Sequence, residues 1–149
     1  LKILRIVPQD LLNVIEAGFG QVGDIMDSMK IQRVVVDSVI SFEMLGKDDF
    51  ERRKMLLDFV GWFKKRKATV LMTMDTDPGS ELTPKFGLAE SATDAIIVLY
   101  HPKEGKRRVR ELEIFKMRET CHTDRFLEFS MAQGGIKVKP PKKGKKVCE

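Results

Sequence analysis

Residues 33–38, RVVVDS, join a short β-branched run to an acid and a hydroxyl at its C-terminal end. Val34, Val35 and Val36, with no polar interruption, predict a strand buried on both faces, as parallel strands of α/β sheets are. Asp37 then falls at the carboxyl end of that strand. Open parallel sheets bind ligands at this end, so a carboxylate there stands where a metal-bound phosphate would sit. Ser38 follows as a second oxygen ligand or a helix cap. The same hexapeptide also reads, without any ligand, as a buried strand ending in an Asx turn.

Moving outward, residues 50–67 place Met55, Leu56, Phe59, Val60 and Phe63 between charges, the pattern of an amphipathic helix. Residues 68–74, ATVLMTM, predict a second buried strand. Two strands with a helix between them make a βαβ unit, normally right-handed, and hence a parallel sheet. Upstream, Ile25, Met26, Met29 and Ile31 keep helical spacing. The string GFGQVG at 18–23 matches G-x-G-x-x-G in letters, but it lies inside a helical pattern instead of directly after a buried strand. It reads as a loop or broken helix and not as a cofactor site. Residues 1–7, LKILRIV, predict a peripheral strand ending at Pro8.

Downstream, residues 75–87 predict a polar loop long enough to be mobile, a class of loop that often carries function. A short helical turn at 90–93 leads to AIIVLY at 95–100, a third buried strand. From there the pattern changes to alternation. KEGKR at 103–107 is a polar connection, Arg108 to Lys116 alternates imperfectly, and Arg125 to Met131 alternates again, so antiparallel hairpins follow the parallel part.

A chain of 149 residues suffices for one domain, and no apolar run reaches the length of a membrane span. The organisation expected is one unit over 1–139 followed by a basic, disordered tail over 140–149, where PPKKGKKVCE has no apolar face to bury. The chain starts at Leu1 in a strand-like segment, which suggests a fragment of a longer chain. Cys121 and Cys148 lack C-x-x-C spacing, which argues against structural zinc and for a reducing, cytoplasmic setting. His101 and His122 have no ligand partner at helical spacing, so a zinc enzyme is disfavoured. Adjacent Cys121 and His122 would point to opposite faces of a strand, which disfavours a thiol enzyme.

Residues 115–122, FKMRETCH, are the second informative stretch. Lys116 and Arg118 lie two apart, so on an extended strand both face one way while Met117 turns to the core, and two such cations can grip one phosphate. A solvated strand face gives the same alternation. The order RVVVDS, helix, ATVLMT, KFGLAESATDAIIVLY, EIFKMRETCH, FSMAQGGIKVKP resembles, from about Lys30 to Pro140, the second half of the KaiC-like and RadA-like branch of the RecA superfamily. The resemblance implies an α/β, RecA-like, mainly parallel sheet flanked by helices, with C-terminal antiparallel strands and an incomplete core. It also implies ATP and Mg²⁺ as cofactors and a homo-oligomeric ring or filament with ATP between subunits.

Residue by residue, the resemblance makes Asp37 the Walker B acid that holds Mg²⁺ through water and Ser38 the small hydroxyl residue after it. Thr73 becomes the polar residue that ends the next strand, where a sensor of nucleotide state would sit. Lys116 and Arg118 become a pair that reaches ATP on the adjacent subunit, an arginine finger acting in trans. Phe86, Gly87, Glu90 and Asp94 match a structural FG..E...D signature. Three departures accompany these matches. Glu119 replaces the usual Gly after KMR, Met74 and Asp75 replace a small residue and Glu, and the sequence has neither GxxxxGK[ST] nor, upstream of the central strand, an acidic pair that matches the family's catalytic glutamates. The resemblance places both of these before Leu1. The rival reading is a RecA-like binding or oligomerisation module without hydrolysis, touching nucleic acid through its basic tail. One Trp and one Tyr give little support for a base-stacking platform.

Overall fold

The computed structural model describes residues 2–7, 10, 13–15, 17–18, 20–75 and 89–140. The tail expected over 140–149, Pro140 apart, and the loop expected over 75–87, Asp75 apart, therefore lie outside the described residues. The chain divides into two units, Leu1–Ala92 and Thr93–Glu149.

In the first unit, helix α1 spans Gly20–Ser28, strand β1 Arg33–Val36, helices α2 and α3 Ile40–Leu45 and Asp49–Lys65, strand β2 Thr69–Met72 and helix α4 Ala89–Ala92. The G-x-G-x-x-G letters do mark a helix break. Gly18 lies at a φ of +67°, closing a turn onto Ile15, before α1 opens at Gly20. Asp48 caps α3 by accepting the backbone N–H of Glu51 at 2.8 Å, while the Glu51 carboxylate accepts that of Lys47 at 2.7 Å. This reciprocal arrangement satisfies two donors that the helix itself cannot. At the other end Lys67 takes a φ of +54° and the Ala68 N–H reaches back to the Phe63 carbonyl. That Schellman-type stop turns the chain straight into β2.

Strands β1 and β2 pair in parallel, Val34 opposite Val70, Val35 opposite Leu71 and Val36 opposite Met72. Val34, Val36, Val70 and Met72 pack against a core built from Met26, Val39, Phe42, Met55, Leu56, Phe59, Phe63 and Ala92. Phe59 is its hub, edge-to-face with Phe42 at 4.9 Å and with Phe63 at 5.0 Å between ring centres. Helix α1 lies close to α3 at Gly23. A Cβ at that glycine would stand 3.3 Å from the Arg66 guanidinium and 3.4 Å from the Trp62 ring, over which Arg66 itself stacks at 3.8 Å.

Two expectations from the sequence do not hold here. The parallel strands are buried on one face only, since Val35 is 69% and Leu71 57% exposed. The helices cover the even-numbered side, and no described residue forms a layer on the other. Residues 2–7 form no strand, because no described strand stands beside them to take up their backbone hydrogen bonds.

The second unit is antiparallel. Strands β3 Ala95–Tyr100, β6 Glu111–Met117, β7 Leu127–Ala132 and β8 Gly135–Val138 form one sheet in the order β3-β6-β7-β8. Between β3 and β6 the short strands β4 Lys103–Glu104 and β5 Arg107–Arg108 pair with each other. Gly105, at a φ of +59°, permits their tight turn. AIIVLY thus pairs antiparallel with β6, and of its residues Val98 is buried while Ile97 and Leu99 are more than half exposed.

The ladder between β3 and β6 is not regular. Ile96 stands opposite Lys116 and Ile97 opposite Ile114, so Phe115 is one residue too many on β6, a β-bulge. Strand side chains alternate with a period of two, and an uninterrupted β6 would put Lys116 on the face of Ile114 and Ile97. The bulge moves it to the face of Ile96.

Near the far end of the same ladder the Tyr100 hydroxyl donates to Glu113 at 2.8 Å, and its ring meets Phe126 edge-on at 5.2 Å. Burial, then this hydrogen bond, then the Glu113 charge push the phenol up to about 12. A phenol that holds its proton more tightly when folded adds stability that is complete below pH about 10, the unfolded value, and is lost as pH rises toward 12. Tyr100 is the one tyrosine of the chain, so its ultraviolet titration is unambiguous. Tyrosinate absorbance is expected to rise well above pH 10 in the native protein and near 10 in urea. In the Glu113→Gln variant the native midpoint should fall toward 10, and an unmoved midpoint would remove Glu113 as a cause.

Candidate functional site

Beyond the last paired residues of the parallel strands, Val36 and Met72, come Asp37 and Thr73. The Thr73 hydroxyl donates to Asp37 Oδ1 at 2.5 Å. The Thr73 N–H bonds the Val36 carbonyl and the Val39 N–H bonds the Thr73 carbonyl, both at 3.0 Å, so β2 continues to brace the chain past Asp37. Asp37 is exposed, Ser38 is half-buried, and the peptide between them is cis. Two residues 36 apart in sequence thus meet at the carboxyl end of a parallel pair, one acid and one hydroxyl. Such a pair can present a carboxylate of defined orientation to a cation or a hydrated cation.

In the second unit Lys116 and Arg118 both fasten to the dipeptide Thr93-Asp94. Lys116 Nζ donates to the Thr93 carbonyl at 2.9 Å. The Arg118 backbone N–H donates to the Asp94 carbonyl at 2.9 Å, and its guanidinium lies 3.9 Å from the Asp94 carboxylate. Strand β6 ends at Met117, so Arg118 opens the following turn, in which Glu119 adopts a φ of +55°. The left-handed region favours glycine, which accounts physically for the Gly that the motif usually has there. The Glu119 carboxylate also adds a negative charge next to Arg118.

Phe86 and Gly87 of the sequence signature lie outside the described residues, and Glu90 is exposed on α4. Asp94, read from the sequence as structural, turns out to be the partner of Arg118, a contact 24 residues apart that no local pattern encodes. The phase shift at Phe115 was likewise invisible, because a bulge leaves no fixed letter in the sequence.

Among the described residues no group of three or more His, Cys, Asp or Glu side chains could hold a metal ion, and His122 Nδ1 lies 3.1 Å from the Thr123 carbonyl instead. No helix among the described residues is long and apolar enough to cross a membrane.

A family model described as "ATPase: KaiC" matches residues 9–143. The circadian clock oscillator protein KaiC of Synechococcus elongatus is 32% identical over 112 residues, 74% of this chain and 21% of that protein. KaiC of Parasynechococcus marenigrum is 28% identical over 111 residues, 74% of this chain and 22% of that protein. The chain thus spans about a fifth of the length of the curated relatives it matches. Among solved structures, the KaiC-like protein PH0186 of Pyrococcus horikoshii superimposes with a TM-score of 0.70 at 24% identity, covering 85% of this chain and 57% of that one. A parallel pair ending in an acid and a hydroxyl, an antiparallel sheet ending in two anchored cations, and a family match across nearly the whole sequence converge: the chain belongs to the KaiC ATPase family.

Proposed function

We propose that this chain forms the metal side and the finger side of an ATP-hydrolysing interface between like subunits. The observation that carries the reading is the Thr73 hydroxyl on the Asp37 carboxylate at the carboxyl ends of β1 and β2. Asp37 would hold Mg²⁺ through water, with Ser38 beside it, and Thr73 would report the nucleotide's state through the carboxylate that it holds. A single exposed carboxylate suits this ion, which keeps most of its water and takes its remaining ligands from phosphates. Bound there, Mg²⁺ would neutralise charge on the phosphates of ATP.

Lys116 and Arg118 would act on nucleotide held by a neighbouring copy, each bringing one positive charge to oxygens that gain negative charge in the transition state. The reading therefore requires a homo-oligomer, a ring or a filament. The test is Asp37→Asn in the full-length natural polypeptide that contains this chain. Mg-dependent ATP turnover is expected to fall by at least about a hundredfold with the fold retained by circular dichroism, because an amide is a poor ligand for a hard cation. Unchanged turnover would remove Asp37 from the metal site.

A further inference from the structure

We propose that Asp94 is a positioning residue for Arg118, one of the two cations of the finger, an inference that rests on the finger reading of Lys116 and Arg118 above. One dipeptide holds both side chains, Thr93 through its carbonyl and Asp94 through its carboxylate. It also holds the backbone. The Asp94 carbonyl accepts the Arg118 N–H at 2.9 Å, directly beyond the last rung of the ladder, where Ala95 stands opposite Met117.

The three anchors have different characters, and the difference identifies the function of each. Lys116 is half-buried and its ammonium makes a full hydrogen bond to the Thr93 carbonyl, which holds the end of the side chain in place. The Arg118 guanidinium is 53% and the Asp94 side chain 58% exposed, and at 3.9 Å they attract without sharing a short hydrogen bond. In water such a pair contributes little to stability. It does bias the direction of a long, rotamer-rich side chain, and it leaves guanidinium donors for a phosphate to take. The bulge at Phe115 makes this possible, because it brings Lys116 onto the face of Ile96, two residues after Asp94. Displacements of about 1 Å at a reacting centre cost up to roughly a hundredfold in rate, so a weak directional contact of this kind has leverage on turnover out of proportion to its stability.

The experiment uses the full-length natural polypeptide and compares Asp94→Asn, Asp94→Glu and Arg118→Ala. Asp94→Asn keeps the backbone carbonyl and the side-chain shape and removes only the charge. Its kcat for ATP is expected to fall about ten- to a hundredfold at an unchanged KM and an unchanged melting temperature, with partial recovery in Asp94→Glu. A second readout is independent of turnover: in the same polypeptide, ¹⁵N relaxation of the Arg118 Nε–H should show a drop in side-chain order in Asp94→Asn, with backbone amides of β3 and β6 unmoved. If Arg118→Ala abolishes turnover while Asp94→Asn matches the wild type, or if Arg118 order is unaffected, the positioning role is overturned and the finger reading stands. If Arg118→Ala leaves turnover intact, both fall together.

Discussion

Chains carrying Arg118→Ala, mixed with chains carrying Asp37→Asn, are expected to recover part of the ATP turnover that each has lost alone. The proposed interface draws Asp37 from the subunit that binds the nucleotide and Arg118 from its neighbour. A mixed assembly then contains some junctions in which both contributions are intact. The effect of Arg118→Ala alone should be large, because a finger acts on charge that appears only in the transition state. Its removal lowers turnover by roughly three to five orders of magnitude in the strongest known cases, with nucleotide binding much less affected. Against so low a background even a few restored junctions are measurable. Mixed assemblies verified by mass spectrometry that show no recovery would return Lys116 and Arg118 to a solvated strand face.

Replacing Phe59 by alanine is expected to cost the first unit about 3–5 kcal/mol, the range for aromatic truncation in a packed core. Phe59 is 4% exposed and its ring joins Phe42 of α2 to Phe63 of the same helix, so the cavity would open between elements and could not collapse onto one. Small domains have only about 5–15 kcal/mol in all. Thermal and urea denaturation should therefore show early loss of helical signal. Leu57→Ala on the same helix is the control, since Leu57 is 46% exposed and its truncation should cost well under half as much. Equal losses from the two would mean that α3 does not present Phe59 to the core as described.

Local periodicity made the helix over Asp49–Lys65 and the strands RVVV, TVLM and AIIVLY legible, with boundaries within a few residues. Asp37 at a strand end was legible for the same reason, because a β-branched run stops where its polar residue starts. Burial was not. A run such as VVV has no alternation to show which side is covered, and in the structure only the side facing the α3 aromatics is. LKILRIV shows the converse error, since a strand-like pattern makes a strand only when another strand is there to pair with.

The bulge at Phe115 has a consequence for how this gene can vary. Substitutions at Phe115 change one half-exposed side chain, and losing its single codon would close the ladder into regular register, with Ile114 opposite Ile97 and the next residue opposite Ile96. Lys116 would still stand opposite Ile96, on the same side of the sheet, and the protein would still spell KMR. A relative with those three letters but without the extra residue would thus keep the geometry together with the motif. For the finger proposed here, register against β3 is thus a better guide than the residue count.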